Sequence, residues 1–320
     1  MKPKVFITRK INQEIVAKME EFCEVSMWEE EEVPVPRDIL MEKIKDVDGL
    51  FCLLTETIDE ELLETAPHLK VVSNMAVGYN NIDIDAAKKL GITVTNTPGV
   101  LTETTADLTF ALLMATSRRI VEASSYLKEG KWKTWSPMQL TGQDIHGATL
   151  GIIGMGRIGS AVAKRALGFD MNVIYHNRKR VSKLEEELDV KYVEMDHLLK
   201  NSDFVCVMVP YTKETDKLIS KREFDLMKDT AILINTARGG IVDEQALYAA
   251  LISNKIWGAG LDVFENEPVS VDHPLLSLDN VVAIPHIGSA SIKTRLKMAE
   301  VAADNLIKSL KNEEPECVVV

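Results

Sequence analysis

Residues 154–159 read Gly-Met-Gly-Arg-Ile-Gly, a Gly-x-Gly-x-x-Gly pattern that follows the apolar run Thr149-Leu150-Gly151-Ile152-Ile153 and opens a helix-forming segment at Ser160. That order suits the pyrophosphate of a dinucleotide. Gly154 permits a tight turn off the strand, Gly156 lets the backbone approach the phosphates, and Gly159 lets the helix pack close to the sheet. The helix start adds N–H groups and a positive dipole end, with Arg157 and Ile158 as further candidate contacts. A second apolar run, Asn172-Val173-Ile174-Tyr175, leads into His176-Asn177-Arg178-Lys179-Arg180. A fold that selects NAD usually places an acid here, roughly 20 residues past the glycines, to hold the ribose 2′-OH. Asn177 and then three cations stand there instead. An acid would repel a 2′-phosphate, whereas Arg178 and Lys179 can pair with one. NADP(H) is therefore the expected cofactor, with NAD(H) left open; the plain alternative is a solvated basic turn.

Three later segments each put polar side chains just beyond an apolar run, where open α/β sheets bind ligands. They are Ile232-Leu233-Ile234-Asn235-Thr236-Ala237-Arg238, Ala259-Gly260-Leu261-Asp262 with Glu267 close behind, and Val282-Ala283-Ile284-Pro285-His286-Ile287-Gly288. Taken singly, each has a plain reading: a helix cap for His286, a surface turn for Arg238, a strand-end cap for Asp262 and a loop entry for Glu267. The other histidines, His273 among them, read as structural or solvated.

The elements that must position these residues form two sets of short apolar strands alternating with helices. Strands are expected at residues 4–8, 23–28, 49–54, 71–74 and 93–96, with helices at 13–22, 37–45, 60–64 and 84–90. A second strand set runs from residue 150 through 173–175, 204–209, 231–235, 258–262 and 281–284. This alternation predicts two doubly wound parallel α/β sheets. Because the glycine motif lies mid-chain, a Rossmann domain over residues 100–286 is expected inside a flavodoxin-like domain made of residues 1–99 and 287–320. Long helical patterns at 104–127 and 290–310 join the two, with no further sheet expected after the second. A cleft between two such domains is the expected substrate site.

At 320 residues and a net charge of −12, the chain fits a two-domain globular protein and argues against nucleic acid or an anionic membrane as partner. Its four cysteines show no CxxC pairing or metal-ligand spacing. No apolar run approaches a membrane span, and the N-terminus enters a strand without a signal-peptide core, so a cytoplasmic protein is expected.

With Val77-Gly78-Tyr79-Asn80-Asn81-Ile82-Asp83 in the first domain and the three later segments in order, nearly the whole chain resembles the D-isomer-specific 2-hydroxyacid dehydrogenases. Within them it is most similar to the glyoxylate/hydroxypyruvate reductase branch, which includes 2-ketogluconate reductases. The resemblance implies reduction of a small 2-oxo acid to a D-2-hydroxy acid. It makes His286 the general acid, Glu267 the partner that favours its protonated form, and Arg238 the holder of the substrate carboxylate, roles that suit these side chains. The backbone N–H groups of Val77 and Gly78 would complete carboxylate capture. Asp262 would hydrogen-bond the nicotinamide amide, and Thr105, Thr236 and Gly288 would also line the cofactor. Asn80 stands where many relatives carry Asp. Residues 132–140 resemble the arm through which this branch forms homodimers, with Gln139 where a Trp is often found; otherwise they are a surface loop with two packed tryptophans.

Other readings stay open. Formate dehydrogenases carry Gln in place of Glu267, and phosphoglycerate dehydrogenases often carry a C-terminal regulatory domain and an acid in place of Asn177. A nucleotide-sensing co-repressor of the same fold would bind cofactor but turn over 2-oxo acids negligibly.

Overall fold

The computed structural model describes all 320 residues, Met1–Val320. The chain divides into two compact units, Met1–Leu101 with Ala290–Val320, and Thr102–Ser289.

In the first unit, the apolar runs become β1 (Lys4–Ile7), β2 (Glu24–Met27), β3 (Gly49–Cys52), β4 (Val71–Asn74) and β5 (Thr93–Thr95). Between them lie α1 (Gln13–Glu20), α2 (Arg37–Lys43), α3 (Glu60–Glu64) and α4 (Ile84–Leu90). Aspartates start the last two helices: Asp59 accepts from Leu62 N at 3.0 Å and Asp83 from Ala86 N at 2.9 Å. All strands pair in parallel in the order β2-β1-β3-β4-β5, with the winding reversing between β1 and β3. β3 and β4 are buried along their whole length and β2 at the edge is not, as expected for a sheet covered on both faces.

The second unit begins with α5 (Thr102–Ser117) and α6 (Ile120–Lys128), then winds through β6 (Thr149–Ile153), α7 (Arg157–Leu167), β7 (Asn172–His176), α8 (Ser182–Leu188) and β8 (Lys191–Tyr192). It continues with α9 (Met195–Asn201), β9 (Phe204–Val207), α10 (Lys221–Leu226), β10 (Ile232–Asn235), α11 (Glu244–Ile252), β11 (Gly258–Leu261) and β12 (Val281–Ala283). Its seven parallel strands run β12-β11-β10-β9-β6-β7-β8, reversing between β6 and β9. One apolar core gathers α5 and α7 residues such as Phe110, Leu113 and Val162, and a second gathers Leu198, Phe224 and Leu247 from α9, α10 and α11. The chain then returns to the first unit as α12 (Ile292–Leu310), where Ala302 O accepts the buried Ser73 hydroxyl at 2.7 Å. Both domains are thus doubly wound parallel α/β sheets, the second inserted into the first.

The structure departs from the sequence reading at three places. The single helix expected over 104–127 is two, broken where Gln143 N, not the next helical turn, donates to Ser117 O at 2.9 Å. A Cβ on Gly142 would lie 2.0 Å from that carbonyl, so only glycine admits this approach. Arg119 then takes a left-handed φ of 51° and opens α6. Strand β8 is two residues long, too short to carry a period. Lastly, the first sheet does gain an addition beyond α12: Val94 N donates to Val320 O and Val319 N to Val94 O, both at 2.8 Å.

Candidate active site

The glycine turn has the form its sequence demands. Gly154 leaves β6 at a φ of +106°, and a Cβ there would sit 2.7 Å from the Met208 backbone. At Gly159 a Cβ would lie 2.2 Å from Gly154 O, so α7 can start against the turn only without one. Gly156 is the contrast: a Cβ there would meet nothing within 4 Å, leaving an open approach to the start of α7, where Arg157 and Ile158 lie. An open, N–H-rich helix start fits a pyrophosphate. Asn177, beyond β7, turns its Oδ1 onto Met155 N at 2.8 Å, so the grip on the glycine turn uses its amide oxygen alone. The three cations after it are not equivalent. Arg180 is held by both Glu185 oxygens, and Glu185 also takes the hydroxyl of buried Tyr175, so the turn is anchored from behind. Arg178 and Lys179 are exposed.

At the ends of β10, β11 and β12 the polar residues come together through buried side chains that grip backbone. Asn235 holds the turn bearing Arg238, its Nδ2 donating to Arg238 O at 2.9 Å and its Oδ1 accepting from Ala237 N at 3.1 Å. Asp262, 1% exposed, accepts from Ile287 N at 2.7 Å and Gly288 N at 2.8 Å, and so holds the segment that bears His286. His286 itself takes a left-handed φ of 50°, with its N–H on Asp262 O at 2.9 Å. An L-residue persists in that region when its surroundings over-determine it. Its Nδ1 meets Glu267 Oε2 at 2.6 Å, and the other oxygen of Glu267 accepts from Phe264 N at 2.9 Å. Gly239 lets this loop close on the Arg238 turn, since a Cβ there would fall 1.8 Å from the Phe264 carbonyl carbon.

The electrostatics follow from that packing. Burial pushes Glu267 up, but the His286 bond and charge, Phe264 N–H and Arg238 together hold it below the usual carboxylate range. Burial pulls the Arg238 guanidinium down, against the opposing charge of Glu267. For Asp262, burial outweighs its two N–H bonds and raises the carboxyl to about 6. Thr105, Thr236 and Gly288 gather on the same side: Thr236 Oγ1 is 2.7 Å from Thr109 Oγ1, and a Cβ on Gly288 would be 3.0 Å from Asp262 and 3.4 Å from Thr105.

Some sequence readings need adjustment. Both Asp262 oxygens already accept main-chain N–H groups, so its first structural task is to position His286. Of its two expected readings His273 takes the structural one, its Nε2 donating to Glu244 at 3.1 Å. Asn235, Gly239 and Glu244 were not singled out in the sequence. Only the first offered a signal, as a polar residue ending a strand otherwise wholly apolar. Val77 and Gly78 lie in the first unit on the loop after β4, their carbonyls held by Asn96 at 2.8 Å and Asn74 at 3.0 Å. Trp132 and Trp135 are 57% and 77% exposed, so they do not pack as a closed loop would require.

The raised carboxyl gives a pH test. The folded state favours protonated Asp262, so its contribution to stability is complete below 3.8 and is lost as pH rises through about 6. Asp262→Asn should flatten that fall by up to about 1.4 kcal/mol per pH unit, measured by denaturant unfolding at several pH values. An unchanged slope would mean that burial does not oppose this ionisation.

Residues 110–288 match the family model of the D-isomer specific 2-hydroxyacid dehydrogenase, NAD binding domain. A glyoxylate reductase from Korarchaeum cryptofilum is 53% identical over 320 residues, covering 100% of this chain and 96% of that protein. The NADPH-dependent glyoxylate/hydroxypyruvate reductase of Sinorhizobium meliloti, solved with NADP and malonate, superposes with a TM-score of 0.86 at 34% identity, covering 100% and 97% of the two chains. A glyoxylate reductase from Paecilomyes thermophila gives 0.89 at 31%, over 99% and 98%. The inserted sheet with its glycine turn is therefore a nicotinamide-dinucleotide domain, and the chain belongs to the D-isomer specific 2-hydroxyacid dehydrogenases, a family of oxidoreductases.

Proposed function

We propose that this protein is an NADPH-preferring reductase of small 2-oxo acids, with glyoxylate and hydroxypyruvate foremost and 2-ketogluconate as a further candidate. The carrying observation is the Glu267–His286 bond of 2.6 Å with Arg238 close enough to bias Glu267. Glyoxylate reduction is the named activity of relatives about half identical to the chain.

Gly154, Gly156, Arg157, Ile158, Gly159, Thr105, Thr236, Asp262 and Gly288 would hold a nicotinamide dinucleotide, which would supply the hydride when bound. His286 supplies the proton. With Nδ1 committed to Glu267, Nε2 is the nitrogen left to protonate the carbonyl oxygen. Arg238 binds the substrate carboxylate through its forked donors. Arg178, with Lys179 and the Asn177 amide, reads the 2′-phosphate.

His286→Ala should lower turnover by about 10²–10⁴-fold, the range general acid catalysis contributes. NADPH binding, followed by protein fluorescence, should remain. Unchanged turnover would remove His286 as the acid. Arg178→Ala should weaken NADPH about tenfold or more and NADH little, as one hydrogen bond to a charged group is worth about 1.5–3 kcal/mol. Equal loss for both cofactors would sink the 2′-phosphate reading.

Exposed Ile120, Val121, Leu127, Trp132, Trp135 and Met138 concentrate apolar surface on α6 and the segment after it. We assign this face to a homodimer contact. A monomeric mass by light scattering at micromolar concentration would rule that out.

A further inference from the structure

The loop that carries Glu267 is gripped from behind by a pair of side chains that touch no catalytic group. Glu244, the first residue of α11, accepts from Glu265 N at 2.7 Å, and its own N–H donates back to Glu265 Oε1 at 3.3 Å. Its second oxygen accepts from His273 Nε2 at 3.1 Å. These side chains are only 12% and 24% exposed, and the His273 ring stands edge-on to Phe264 with centroids 6.0 Å apart. His273 Nδ1 is buried without a hydrogen-bond partner, a cost that the Nε2 bond offsets. The gripped N–H belongs to Glu265, and the preceding N–H, of Phe264, is the one that orients Glu267. Two successive peptide units, joined at Phe264, thus connect the pair to the carboxylate facing His286.

We propose that Glu244 and His273 act as a clamp that positions Glu267 on His286 and so sets the pH range over which the site can deliver a proton. Both are positioning residues, and the inference rests on His286 being the general acid. The clamp is not the loop's sole anchor, because Gly239 packs against the Phe264 backbone independently. Cutting it therefore loosens the aim of Glu267 without unfolding the loop. A carboxylate held less firmly fixes the ring less well and pairs less closely with it when the ring is charged. The charged groups facing the pair are Arg238 after β10 and Asp262 at β11; the one facing the clamp is Glu265, whose charge also reaches Tyr211 on the loop after β9.

The test compares Glu244→Ala, Glu244→Gln, His273→Ala and His273→Gln with Glu267→Gln and His286→Ala. It uses kcat/KM for glyoxylate reduction against pH, the Kd for NADPH, and thermal unfolding. The alanine variants should move the alkaline limb to lower pH, in the direction of Glu267→Gln, with kcat down about tenfold and KM and Kd little changed. The glutamine variants, which keep an acceptor for Glu265 N–H or a donor for Glu244, should recover part of the shift and serve if the alanine variants fold poorly. Added to Glu267→Gln, Glu244→Ala should shift the limb no further. An unmoved profile in all four, with His286→Ala inactive, would overturn the clamp alone, even if stability fell. Full turnover by His286→Ala would overturn the acid assignment and the clamp with it.

Discussion

An imidazole serves as a directed proton donor only when its other nitrogen is held by a group that fixes the ring and favours its charge. The 2.6 Å bond from His286 Nδ1 to Glu267 holds one ring nitrogen in this way, and main-chain contacts in the second domain hold the bond in place. His286 comes from the end of β12 and Glu267 from a loop after β11, so neither can be aimed by its own element. Main-chain grips do the aiming instead: Asp262 on Ile287 and Gly288, Phe264 N–H on Glu267, and Asn235 on the Arg238 turn. Each grip lies at the carboxyl end of a buried strand, where the ladder stops and leaves backbone groups to be satisfied by side chains.

That arrangement has an electrostatic cost which the site places with care. Three ionisable groups, Arg238, Asp262 and Glu267, are at least partly removed from water, and burial disfavours the charge on each. For Glu267 the neighbours overcome burial, so it stays charged beside the imidazole. For Asp262 they do not, and its carboxyl rises to about 6. Two carboxyls a few residues apart in sequence are thereby given different ionisation behaviour by their surroundings, as active sites commonly arrange.

Much of this was legible in the residues alone. Continuous apolar runs such as Phe204–Val207 and Ile232–Ile234 read as strands buried on both faces, and their alternation with helices points to parallel winding. Arg238, Glu267 and His286 stood out because polar side chains follow such runs in order. What stayed hidden was long-range or too short to have a pattern. The break after Ser117 depends on Gln143 and Gly142, some 25 positions on, and β8 has two residues. Glu244 and His273 each resemble an ordinary helix start and loop histidine; only their meeting across 29 positions gives them a role.

The bond between Asn177 and Met155 carries an evolutionary consequence. Only the Oδ1 atom of Asn177 grips the glycine turn, and an aspartate has the same atom in the same place. An Asn-to-Asp change would keep an oxygen for that grip while replacing the amide nitrogen with a negatively charged oxygen. The charge presented at this position can therefore change without the fold having to change.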